Sequence, residues 1–233
     1  MNSLEREARE RLNNFLAFLL PQRCPVCGEP ADAARFFCTA CERALPRLAV
    51  PVCARCLSEE SPADACLRHP GDRVHAAFVY DEAVAALVHA LKFGARPNLA
   101  RPFAPAIAAV LPARWQRPAL VTAVPLHATR RRERGYDQAA VLGEALADAL
   151  GAPFSAALLE RTRETRAQSS LGPRERRRNV RGAFRARHPG WVSGRRVLVV
   201  DDVLTTGATL AEAMATLRAA GARTAGAVLA WAQ

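Results

Sequence analysis

Seven cysteines, Cys24, Cys27, Cys38, Cys41, Cys53, Cys56 and Cys66, crowd one stretch near the N-terminus, and six of them form three CxxC pairs. Thiolates at this spacing ligate a metal or run redox chemistry. A redox CxxC opens a helix in a thioredoxin-like βαβ unit, and no such pattern surrounds these. Zinc takes four soft ligands in a tetrahedron, and two knuckles about a dozen residues apart supply them. CPVC, ten residues, then CTAC predicts one site at Cys24, Cys27, Cys38 and Cys41, with Gly28 allowing the tight turn. CARC followed by CLRH predicts a second at Cys53, Cys56, Cys66 and His69, against the competing reading of CLRH as an exposed loop. Spacing leaves open whether the pairs fill the two sites in order or interleave. A segment of about 50 residues with few aliphatic positions cannot rest on its core alone, so the zinc is expected to be structural.

A second stretch with chemistry in it is RVLVVDDVLTTGATL, beginning at Arg196. An apolar strand runs into Asp201 and Asp202. A short loop, Thr205, Thr206, Gly207, Ala208 and Thr209, then enters a helix. Ligands of open α/β sheets bind at the carboxyl ends of strands. Helix N-terminal N–H groups beside hydroxyls make an anion site, and glycine lets a phosphate approach the backbone. Two carboxylates next to such a cradle suit ribose hydroxyls or a metal. The loop is neither GxxxxGK[ST] nor GxGxxG.

These residues must be carried by elements, and the periodicity supplies them. The pattern predicts strands at 74–80, 119–124, 154–160, 196–200 and 224–232, and helices at 81–93, 101–111, 136–151 and 208–221. Strand–helix alternation means a parallel sheet with right-handed crossovers, an α/β fold. The segment 161–190 has no clean periodicity and is expected to be a loop excursion; ten arginines fall between Arg161 and Arg187. A helix over 4–19 has Leu4, Ala8, Leu12, Phe15, Leu16 and Leu19 along one side. The domain reading is an amphipathic helix at 1–21, a metal-binding domain at 22–72 and the α/β domain at 73–233.

The composition fits this. The 233 residues are 50% hydrophobic and 24% charged, which excludes a wholly disordered or fibrous chain. No apolar run reaches the ~18 residues a membrane helix needs. The N-terminus has acids throughout and no small-residue cleavage site, so the expected compartment is the cytosol. Lys+Arg 33 against Asp+Glu 22 gives a net charge of +11, and Lys92 is the only lysine. Such a balance suits phosphorylated ligands or nucleic acid. Lys92 itself reads equally as a ligand contact or as a favourable charge at a helix C-terminus.

VLVVDDVLTTGATL resembles the phosphoribosyl pyrophosphate (PRPP) motif of type I phosphoribosyltransferases. From Cys24 to the last strand the chain resembles the ComF family, which joins a double zinc ribbon to such a domain. HALKF, VPLHATRRRERGYDQ and RTRETRAQSSLGPRERRRNVRGAF support the resemblance, with Asp137 standing where the family usually has Asn. The resemblance implies a type I phosphoribosyltransferase-like parallel sheet with helices on both faces, preceded by a small zinc-ribbon domain. It implies that Asp201 and Asp202 hold the ribose hydroxyls and that Thr205 to Thr209 cradle the 5′-phosphate. Pyrophosphate would lie at the turn near Pro125 and Leu126, neutralised by Arg130, Arg131 and Arg134. Arg163, Gln168, Arg176 and Asn179 would cover the ligand, and Mg²⁺ would accompany PRPP. The function implied is transfer or sensing of the phosphoribosyl group, linked to natural transformation. The alternative is a non-catalytic adaptor binding single-stranded DNA among competence-machinery proteins. Few aromatics flank the arginine runs, which argues against strong strand binding.

Overall fold

The computed structural model describes residues 23–24, 26–31, 37–48, 50–60, 66–93, 100–163 and 173–233. The predicted helix over 4–19 and Gln168 lie outside them, as do the side chains of Arg130, Arg134 and Arg176. The chain divides into two compact units, Met1–Leu45 and Pro46–Gln233.

In the first unit the chain turns at Gly28, whose N–H donates to the Cys24 carbonyl at 2.8 Å. Gly28 takes φ +77°, a conformation that costs glycine nothing. Helix α1 (Thr39–Ala44) follows, capped by the Cys38 sulfur.

The second unit is built on a five-stranded sheet. Its elements are β1 (Val52–Cys53), β2 (Arg73–Val79), α2 (Glu82–Phe93), α3 (Ala100–Ala109), β3 (Leu120–Ala123), α4 (Ala128–Arg134), α5 (Gln138–Leu150), β4 (Leu159–Arg161), α6 (Pro173–Val180), β5 (Phe184–Ala186), α7 (Pro189–Val192), β6 (Arg196–Leu204), α8 (Ala208–Ala219) and β7 (Arg223–Trp231). The strand order is β1-β2-β7-β6-β3. All neighbours run parallel except the short edge strand β1.

The central strands are apolar because they are covered on both faces. Val197 and Val199 of β6 share a core with Leu210, Ala211, Met214 and Leu217 of α8. Leu198 and Val200 alternate to the other face, where α3 and α5 pack and bury Phe103, Ile107, Leu142 and Leu146.

Several elements differ from the sequence expectation. Strand β6 does not stop before the acids: pairing with β7 continues to Leu204 opposite Trp231. The reach 154–160 is mostly a turn, and only Leu159–Arg161 is strand. The 161–190 excursion contains real structure. Antiparallel β4 and β5 pair Arg161 with Phe184, and α6 spans the arginine run. Val180, Ala183 and Phe184 are buried there, apolar anchors too sparse to register as a period.

Candidate functional site

The cysteines come first in the chain. All seven are free thiols. Cys24, Cys27, Cys38 and Cys41 bring their sulfurs together, and so do Cys53, Cys56, Cys66 and His69; within each set the ligand atoms lie within 4.8 Å of one another. The pairs therefore fill two clusters in chain order, which spacing had left open. Cys27 and Cys38 sulfurs are 3.6 Å apart, Cys56 and Cys66 3.7 Å, and His69 Nδ1 is 3.6 Å from both Cys53 and Cys66. Zinc–sulfur bonds of about 2.3 Å in a tetrahedron give edges of about 3.8 Å, so both donor sets fit a structural zinc. Burial works against ionising Cys24, yet the backbone N–H groups around it overcome this and pull its thiol down to about 6. Cys56 is likewise lowered to about 6, with Ser58 supplying the largest opposing hydrogen bonds. Burial pushes Cys53 up to about 12. One thiolate in each cluster is thus ready for a metal at neutral pH. In the second knuckle Leu57, at φ 58°, holds the place that Gly28 holds in the first. A left-handed leucine costs about 1 kcal/mol, so the turn there is enforced by its surroundings.

The second cluster belongs to the unit that contains the sheet, where Cys53 pairs with Arg73 across β1 and β2. Its knuckle touches the other site. A Cβ added to Gly207 would overlap the Ala54 carbonyl oxygen and lie 2.7 Å from its carbon. Gly207 takes φ +67° and starts α8 with no side-chain cap. Gly207 has no side chain to cap the first turn of that helix, which follows directly on the loop of Thr205 and Thr206. Thr205 is exposed and Ala208 is buried.

Asp202 is buried, at 6% exposure. Its Oδ1 accepts the Val203 N–H at 2.7 Å. Its Oδ2 accepts from Lys92 Nζ at 3.0 Å and Gln138 Nε2 at 3.3 Å. Asp201 is half-buried and accepts the Asp202 N–H at 2.9 Å. Burial, and then the neighbouring Asp202 charge, hold the Asp201 carboxyl well above the usual carboxylate range. Gln138 Oε1 is buried and has no partner among the described residues. Lys92 thus takes a role the sequence reading did not offer, as counter-ion to one of the two acids. The signal was its type: a lone lysine in a chain that otherwise uses arginine.

Three consecutive residues assemble this corner. The Tyr136 hydroxyl donates to the Leu91 carbonyl, fixing the end of α2 that carries Lys92. Asp137 caps α5, its Oδ1 accepting from Ala139 and Ala140, while its Oδ2 accepts the Leu126 N–H at 2.9 Å. That bond pins the turn after β3. Gln138 reaches Asp202. Both Asp137 oxygens act as acceptors, and Arg131 Nη2 lies 3.8 Å away, which is why aspartate serves here.

The remaining candidates are spread wider. Arg131 is exposed on α4, a helix the sequence reading left unassigned; Arg130 and Arg134 lie on the same helix. Exposed Arg163 donates to the Arg181 carbonyl at 2.7 Å, closing the excursion on itself. Asn179 lies half-buried in α6, which also carries Arg176.

Residues 98–233 match the family model described as a phosphoribosyl transferase domain, and residues 15–68 match the one described as a double zinc ribbon domain. The division between the compact units falls inside the second match. The chain is 34% identical over 217 residues to the DNA utilization protein YhgH of Salmonella typhimurium, covering 88% of this chain and 94% of that protein. It is 33% identical over 205 residues to the protein of the same name in Escherichia coli K12, covering 83% and 89%. It is 31% identical over 221 residues to Competence protein F of Haemophilus influenzae, covering 89% and 94%.

Proposed function

The chain belongs to the ComF family, a double zinc ribbon joined to a phosphoribosyltransferase domain, and on that premise we propose that it binds PRPP at the β6–α8 junction to transfer or sense the phosphoribosyl group. One observation carries this reading. Two adjacent acids in the C-terminal half of β6 lead, through a short loop, into a helix whose glycine start is left without a side-chain cap. Asp201 and Asp202 would accept the ribose hydroxyls. The 5′-phosphate would sit over Thr205, Thr206, Gly207, Ala208 and Thr209. The turn at Pro125 and Leu126 would take pyrophosphate, with Arg130, Arg131 and Arg134 near it. Arg163, Gln168, Arg176 and Asn179 would close over the ligand.

The chemistry asks for positioning and for stabilisation of charge on a leaving pyrophosphate, which arginines supply. Mg²⁺ bound with the ligand, largely through the ligand's own oxygens, would supply charge neutralisation at that leaving group. No protein nucleophile is required. Zinc at the two clusters is structural, its binding energy becoming folding energy. The protein works in the cytosol, where thiols stay reduced, in a role linked to natural transformation, a reading supported by relatives named for DNA utilization and for competence.

A second reading is a non-catalytic adaptor for single-stranded DNA. Trp191 is 60% exposed and stacks on His188 with centroids 4.9 Å apart, in a segment also carrying Arg185, Arg187 and Arg195. Titration calorimetry with PRPP and Mg²⁺, against AMP and a short DNA strand, separates the two. PRPP binding that disappears in Asp201→Asn/Asp202→Asn while the variant stays folded supports the first. Unchanged affinity in that double variant overturns it. Salt-sensitive DNA binding without PRPP binding favours the second.

A further inference from the structure

We infer that the Cys53/Cys56/Cys66/His69 node positions the phosphate loop: metal at this node holds a clamp on both ends of α8, so its occupancy governs the loop and the affinity of the pocket. The inference rests on the reading of Thr205–Thr209 as a phosphate loop.

The N-terminal grip is the knuckle itself. Ala54, fully buried, follows the ligand Cys53, and Gly207 lies so close that no side chain fits between them. Ala54 is fixed in turn by its N–H to the Asp72 carbonyl at 2.8 Å. The C-terminal grip is Arg218, in the last turn of α8. It donates to the Asp72 carboxylate at 2.6 Å and to the Gly71 carbonyl at 2.7 Å. Asp72 is 1% exposed and also takes the guanidinium of Arg55, which sits inside the CARC knuckle. Gly71 and Asp72 stand just after His69, and the Asp72 N–H donates to the His69 carbonyl at 3.2 Å. Every contact of the clamp is therefore borne by residues flanking the four ligands.

The metal makes the clamp a unit. Three thiols and an imidazole approach one another to 3.6–3.7 Å with no covalent link between them, and a cation bound to all four ties their backbone segments together. Without it, the strained turn at Leu57 loses a tether, and Ala54 is held against Gly207 only by its burial and its hydrogen bond to Asp72. The first cluster lies in the other compact unit and serves as an internal control.

The test compares full-length Cys66→Ser, which disrupts the second node, with Cys38→Ser, which disrupts the first. Zinc per chain, amide exchange over 203–211 and PRPP–Mg²⁺ calorimetry are measured on each. Cys66→Ser is expected to lose one zinc, to exchange its loop amides about tenfold faster and to bind PRPP about tenfold more weakly. Cys38→Ser is expected to lose one zinc and change neither. Wild-type loop exchange in a Cys66→Ser chain that has lost its zinc overturns the inference, as does an equal loop effect in both variants. Absence of PRPP binding by the wild-type protein defeats the reading of the pocket, while loop exchange still decides the coupling. If Cys66→Ser unfolds globally, Arg218→Gln, which keeps all four ligands and cuts one grip, decides it. Faster loop exchange with zinc retained supports the clamp, and wild-type exchange overturns it.

Discussion

The Lys92 ammonium lies 3.0 Å from the Asp202 carboxylate, joining the end of α2 to the C-terminal half of β6. The lone lysine thereby offsets one of two adjacent acids and lets Asp202 stay buried. Asp202 has no other cation within ion-pairing distance among the described residues.

Removing that cation leaves a buried charge beside another acid. Lys92→Met is expected to destabilise the protein by about 2 kcal/mol, the lower end for a broken buried pair because Lys92 keeps some solvent contact. Urea denaturation measures it. The combined Lys92→Met/Asp202→Asn variant is expected to lose less than the sum of the single changes. Strict additivity would assign Lys92 to the helix terminus alone.

Asp137→Asn replaces one of two acceptor oxygens with a donor. Whichever way the amide turns, N–H meets N–H, at Leu126 or at the start of α5. The expected cost is about 1–2 kcal/mol. The Leu126 amide should exchange faster while the amides of β6 keep their protection. Unchanged exchange at Leu126 would count against this account of the turn.

Gly207 and Gly182 share a backbone conformation, at φ +67° and +66°, but not surroundings. Nothing lies within 4 Å of a Cβ at Gly182, whereas one at Gly207 meets the backbone of Ala54. Gly182→Ala should cost about 1 kcal/mol for conformation alone. Gly207→Ala should cost at least about 2 kcal/mol more, because backbone must move. Thermal melts of the two variants decide it.

His75 lies buried in β2, its Nε2 without a partner among the described residues. Burial, aided by the charges of Arg73 and Arg114, lowers its pKa to about 4. The unfolded chain, with a histidine near 6.5, binds that proton more readily, so stability falls as pH drops from about 6.5 toward 4. The slope from this group is at most about 1.4 kcal/mol per pH unit, and it vanishes above about 6.5. Urea midpoints across this range should flatten in His75→Gln. An unchanged profile would refute the assignment.

Much of this protein follows from local pattern. CxxC spacing put eight ligands in four pairs, because knuckle geometry is set within a few residues. Apolar runs such as Val197–Val200 and glycine-ended helices announced the parallel sheet, because burial on both faces dictates composition. The DDVLTTGAT stretch announced an anion site for the same local reason.

Tertiary structure decided what depends on distant partners. Which cysteines share a cluster was settled by the folded chain, because two similar spacings permit either pairing. Strand β6 runs on through Asp201 and Asp202 because β7 supplies its hydrogen bonds, a gain that local hydropathy does not contain. Strands β4 and β5 form because they pair with each other across the arginine-rich excursion, a partnership that neither short strand shows by itself. Lys92, Gln138 and Asp202 meet only because parallel β-strands and their crossovers bring separate chain ends to one edge. The same holds for Gly207 and Ala54. Sequence marks the glycine, but the neighbour that requires it is chosen by the fold.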